Sequence, residues 1–159
     1  MKYARLTKEQ FEELHQEFAT FLATQSIDKK EWEFMKIKKP EVVEEELDTF
    51  SDLVWDNVLE KAEYLENILP QQMFLFKIEK EQMKLIALKI MDESKDITKE
   101  EDYTWLQQNY MTEEVEFYTA DKKFSDDWKQ DVFALIKQGA IITQGELYAF
   151  FEDILDKAK

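Results

Sequence analysis

The apolar residues of this chain change their spacing part-way along. Up to about residue 61 they recur at helical intervals: Phe11, Leu14, Phe18, Phe21 and Leu22, then Val43, Leu47, Phe50, Val54 and Val58. From Tyr64 the repeat shortens to two, with Phe74, Phe76 and Ile78 on one side of a strand and Ile86, Leu88 and Ile90 on one side of the next. A spacing of 3.6 buries one stripe of a helix, and a spacing of two buries one face of a strand. A chain holding both, with the strands in consecutive short runs, is α+β. It is expected to carry a small, mainly antiparallel sheet packed with about six helices.

Local signals place the elements. Thr7-Lys8-Glu9-Gln10 is a capping box opening a first helix to about Gln25. Asp28-Lys29-Lys30-Glu31 opens a second, with Trp32 and Phe34 or Met35 inward, which ends before Pro40. Pro40 or Glu41 starts a third that reaches about Lys61. Met73 to Glu79 and Met83 to Met91 form a hairpin, or with Tyr64 to Leu69 a three-stranded meander, and Glu114 to Ala120 adds a fourth strand. In this reading Leu75, Leu85 and Ala87 lie on a reverse face that is only partly covered. Thr98 opens a fourth helix carrying Tyr103, Leu106 and Tyr110. Ser125 caps a fifth, which Gly139 ends in a left-handed turn. Thr143 to Glu146 open a sixth, with Leu147, Phe150, Phe151 and Ile154 inward. The length fits one domain: a helical part to residue 61, a sheet-containing part to residue 120 and C-terminal helices beyond.

Composition removes many chemistries. There is no Cys, hence no disulfide, thiolate nucleophile or Cys-ligated zinc. Two glycines, Gly139 and Gly145, cannot build a phosphate-cradling loop. None of the four serines (Ser26, Ser51, Ser94, Ser125) sits in a Gly-x-Ser-x-Gly elbow. His15 is the single histidine, at the edge of its helix stripe, and reads as a half-buried packing residue. One Arg and a net charge of -15 disfavour direct nucleic-acid binding. The longest apolar runs have four residues, against the roughly 20 that a membrane span needs. No signal peptide is visible, so the expected place is the cytoplasm. No cofactor is implied.

The charge is concentrated. Residues 41–60 hold Glu41, Glu44, Glu45, Glu46, Asp48, Asp52, Asp56 and Glu60 with no Lys or Arg, more than half of the net charge. Asp48, Asp52 and Asp56 follow at four-residue steps and stack on one helix face, where like charges cost roughly 0.2–0.5 kcal/mol per pair. Lys36, Lys38 and Lys39 just upstream are the expected counter-charges if the stripe is simply solvated. Otherwise Glu45, Asp48, Asp52 and Asp56 form a surface for a basic protein partner. Trp105, about 100° from the Leu106 side of its helix, is the tryptophan expected at such a surface. Glu44, Glu45 and Asp48 could instead serve a divalent-metal-dependent hydrolase, and the acidic surface could imitate nucleic acid. Glu44-Glu45-x-x-Asp48 followed by Glu60-x-x-Glu63 resembles the carboxylate pattern of all-α nucleotide pyrophosphohydrolases of the MazG type. In those enzymes two facing helices supply the ligands. Here all five acids fall on one helix or at its end, with Glu44 and Glu60 about 24 Å apart, so the pattern does not carry over.

Several longer stretches carry a resemblance over nearly the whole chain. They are Met1-Lys2-Tyr3 with Leu6-Thr7-Lys8-Glu9, Phe21 to Ile27, Glu44 to Asp48, Phe50 to Trp55, Val115 to Tyr118 and Gly145 to Tyr148. The chain resembles a small uncharacterised bacterial family found largely among the Bacteroidetes. The resemblance implies a single cytoplasmic domain and transfers no functional residue. The expected function is a non-enzymatic, acidic protein-interaction domain.

Overall fold

The computed structural model describes residues 1–158. Among them are seven helices: α1 (Lys8–Glu13), α2 (His15–Ala23), α3 (Lys29–Lys38), α4 (Pro40–Lys61), α5 (Glu100–Asn109), α6 (Trp128–Lys137) and α7 (Glu146–Lys157). Five strands accompany them: β1 (Tyr64–Leu69), β2 (Gln72–Ile78), β3 (Gln82–Ile90), β4 (Val115–Lys123) and β5 (Ile141–Thr143). The α+β class expected from the apolar spacing is the class observed. The chain divides into two compact units, Met1–Glu60 and Lys61–Lys159.

The first unit is helical and aromatic. Leu22, Trp32, Met35 and Val43 form its buried cluster, with Phe18, Phe21 and Leu47 packed against it. The Phe18 ring meets Trp32 edge-on at 5.3 Å and Phe50 at 5.0 Å. The Thr7 capping box forms, and Asp28 accepts from the Glu31 N–H at 2.7 Å. The single first helix expected from Thr7 to Gln25 is instead two. Leu14, at φ -102° and ψ 22°, loosens the turn between α1 and α2. With the axis loosened there, Phe11 and Phe18 both reach the Phe50 ring, at 5.9 and 5.0 Å. Met35 rather than Phe34 points inward, Phe34 being 55% exposed.

The second unit is an antiparallel sheet in the order β4-β3-β2-β1-β5. Its deepest face carries Met73 and Leu75 of β2 opposite Leu88 and Ile86 of β3. Tyr148 and Phe151 of α7 and Leu106 of α5 close this core. The other face carries Phe74, Phe76, Leu85 and Ala87, over which α6 lies with Ala134 and Leu135. The expected phase of β2 is therefore reversed. Leu75, expected on the partly covered face, is 1% exposed, while Phe74 and Phe76 are half-buried. Both sets are apolar, so alternation alone could not choose between them, and a one-residue change of phase moves a whole strand to its other face.

Four local details also differ. Asp127, not Ser125, caps α6, accepting from the Gln130 N–H at 3.3 Å, while Ser125 binds Asp131. Helix α5 begins at Glu100, and the Thr98 hydroxyl is taken by Asp96. In α7 Tyr148 is buried and Phe150 is 47% exposed. Strand β5 was not anticipated. Gly139 does end α6 as expected: its N–H donates to Ile136 O at 3.0 Å and that of Ala140 to Leu135 O at 3.1 Å.

Candidate functional site

Two features stand out, one in each unit. In the first, the acidic stripe of α4 is covered by the chain's own first residues. Arg5 Nε donates to Asp48 at 2.6 Å and its Nη2 to Glu44 at 2.8 Å. The main-chain N–H groups of Lys2 and Tyr3 both donate to the Asp52 carboxylate, at 2.7 and 2.9 Å. The Tyr3 hydroxyl donates to Asp56 at 2.6 Å, and Lys2 Nζ lies 3.7 Å from the same carboxylate. The segment thus runs antiparallel to α4 and meets Asp56, Asp52, Asp48 and Glu44 in turn. Leu6 anchors it: its N–H donates to the Ser51 hydroxyl at 3.0 Å, and that hydroxyl donates to Leu47 O at 2.7 Å. Hydrogen bonds to Asp48 and then Glu44 raise the Arg5 guanidinium above its already high ordinary value, so it stays charged at every working pH.

The counter-charges expected from Lys36, Lys38 and Lys39 do not fill this role; Lys36 pairs with Glu33 on its own helix at 3.3 Å. Glu44 and Asp48 share the Arg5 guanidinium as their cation. Among the described residues no three His, Asp or Glu side chains converge so as to hold a metal ion.

In the second unit a groove of about 750 Å³ opens between α5, α7 and the β1–β5 end of the sheet. Leu106, Leu147, Phe150 and Phe151 make its apolar walls; Tyr103, Tyr110, Gln107 and Gln144 add polar edges. The Tyr110 ring meets Phe150 at 5.5 Å and Phe151 at 5.9 Å, both edge-on. Two carboxylates, Glu66 and Glu146, face the groove and no Lys, Arg or His lines it. Burial pushes the Glu66 carboxyl above its ordinary value. Burial, and then the Glu66 charge, raises the Tyr103 hydroxyl. A partly dehydrated carboxylate walled by aromatic rings attracts a cation through both its charge and the ring faces.

A model of the family of unknown function DUF6495 matches residues 1–156. The chain belongs to that family. No curated protein and no solved structure matches it.

In this DUF6495 chain the residues singled out from sequence are dispersed. Asp48, Asp52 and Asp56 are gathered by the N-terminal segment, and Glu45 is exposed beside them. Trp105 lies in the other unit, half-buried against the core, with Lys95 Nζ 5.2 Å from its ring centre. His15, expected half-buried, is exposed, its Nδ1 3.0 Å from Glu12 O. Glu66 escaped sequence reading. Its one signal is a carboxylate at an inward position of a predicted strand, two residues from both Tyr64 and Ile68 on the same face.

Proposed function

We propose that the chain is a cytoplasmic, non-enzymatic interaction domain that takes a basic partner, and that a cationic side chain of this partner enters the α5/α7 groove. The observation that carries the reading is Glu66: a partly dehydrated carboxylate with no ion-pair partner among the described residues, in an aromatic groove with no basic residue in its wall. The α4 stripe supports the groove as the docking place, because its own Asp48, Asp52 and Asp56 already hold the N-terminal segment. The bacterial setting rests on the resemblance described from the sequence.

A short peptide of alternating Leu and Lys tests the proposal against its Leu/Glu counterpart. The Lys peptide is expected to shift the NMR side-chain amide signals of Gln107 and Gln144, and Glu66→Gln to weaken it about fivefold, the worth of a partly exposed ion pair. Equal shifts with both peptides, or none at millimolar peptide, would refute it.

A further inference from the structure

The sheet ends on one side in a long, open edge. Strand β4 has nine residues, Val115–Lys123, paired on one side only, with β3. The other edge, β5, has three. The hydrogen-bond phase of β4 is fixed at both ends. The Met91 N–H donates to Glu114 O at 2.8 Å, and the Phe124 N–H donates to Glu81 O at 3.1 Å. The register between these points has no bulge. Main-chain groups of an antiparallel strand alternate sides. Even-numbered residues of β4 therefore bond to β3, and Phe117, Thr119, Asp121 and Lys123 turn their N–H and C=O groups outward. None of these outward groups has a hydrogen bond among the described residues. Such a row is a template for another strand.

The side chains select which strand. In a chain of charge -15, β4 carries Glu116, Asp121, Lys122 and Lys123 and is locally neutral. It is also self-complementary about its centre. A two-fold axis through Thr119, normal to the sheet, sets Thr119 opposite its own copy, and Phe117 opposite Asp121, as hydrogen-bonded pairs. The same axis sets Glu116 opposite Lys122 in the two closer, non-hydrogen-bonded pairs, both on one face. Tyr118, 52% exposed, falls opposite Ala120, whose small side chain leaves room for the ring. Every charge on the even-numbered face meets its opposite.

We infer that two copies of this chain pair through β4 in antiparallel register centred on Thr119, joining their sheets into one continuous ten-stranded sheet. This isologous contact closes on itself and leaves no β4 edge for further growth.

Sedimentation equilibrium of the full chain, from micromolar to submillimolar concentration, reads the outcome. Wild type is expected to reach twice the chain mass. Glu116→Lys places Lys opposite Lys122 twice per dimer and is expected to weaken pairing about tenfold, as is Lys122→Glu. The double variant Glu116→Lys with Lys122→Glu restores opposite charges and is expected to recover the wild-type constant. Thr119→Pro removes an outward N–H that the monomer does not use, a position an edge strand accommodates, and is expected to abolish the dimer. Amide exchange supplies a readout independent of folding defects: Phe117, Thr119 and Asp121 should gain protection with concentration. A chain that stays monomeric throughout overturns the inference. So does a dimer indifferent to the single charge changes, or one that leaves those three amides unprotected.

Discussion

At the residue scale the two glycines do different work. Both have positive φ, +113° at Gly139 and +81° at Gly145. A Cβ on Gly139 would lie 3.7 Å from the nearest Asn67 atoms, whereas one on Gly145 would lie 2.4 Å from the Tyr64 ring. That ring is held against Tyr148 at 5.7 Å and cannot swing away freely. Gly139→Ala is expected to cost about 1 kcal/mol through backbone strain alone. Gly145→Ala, adding overlap to strain, is expected to cost about 3 kcal/mol. Urea unfolding compares them, and equal losses would contradict the account. The left-handed turn at Gly139 was legible in the sequence, because a glycine after an apolar helical run has a local meaning. The clash at Gly145 was not, because Tyr64 lies 81 residues away in the chain.

At the scale of elements, α4 shows how a local liability is met by a distant segment. Its start, its length and its stacked aspartates follow from residues within a few positions of one another. Their partners do not. The only arginine of the chain sits 43 residues from Asp48, and nearer lysines were the obvious candidates. Ser51, fully buried in the apolar side of α4, is the one buried polar or charged residue among the described residues, and it fixes the main chain of Leu6. Side chains of Arg5 and Asp48 are 33% and 35% exposed. A double-mutant cycle with Arg5→Ala and Asp48→Ala is expected to give a coupling of about 0.5–1 kcal/mol, falling in molar salt. A coupling near zero at low salt would mean that Leu6 and Ser51 alone hold the segment. Strand phase belongs to the same scale. Phe74 and Leu75 compete for the core as adjacent apolar residues, and Leu75 wins because its position opposite Ile86 aims it at α7.

At the scale of the whole molecule, the negative charge reaches the core through Tyr148. Burial first, then Glu152, Glu79, Asp121 and Tyr64, push its hydroxyl from 10.0 up to about 12. These carboxylates come from α7, the β2–β3 turn and β4. The folded state holds the proton more tightly than the unfolded chain does. Its contribution is therefore intact below pH 10 and is lost as pH rises towards about 12. Urea midpoints across this window should fall more steeply for wild type than for Tyr148→Phe; parallel curves would show that Tyr148 ionises without resistance. The fold class, most helix limits, the meander and the acidic stripe are consequences of near neighbours: propensity, capping and spacing act over a few residues and can be read along a line. Strand phase, the cover over the stripe, the groove around Glu66 and the open β4 edge depend on contacts between residues tens of positions apart. Many pairings compete for such contacts with similar local chemistry, and close packing in three dimensions selects among them.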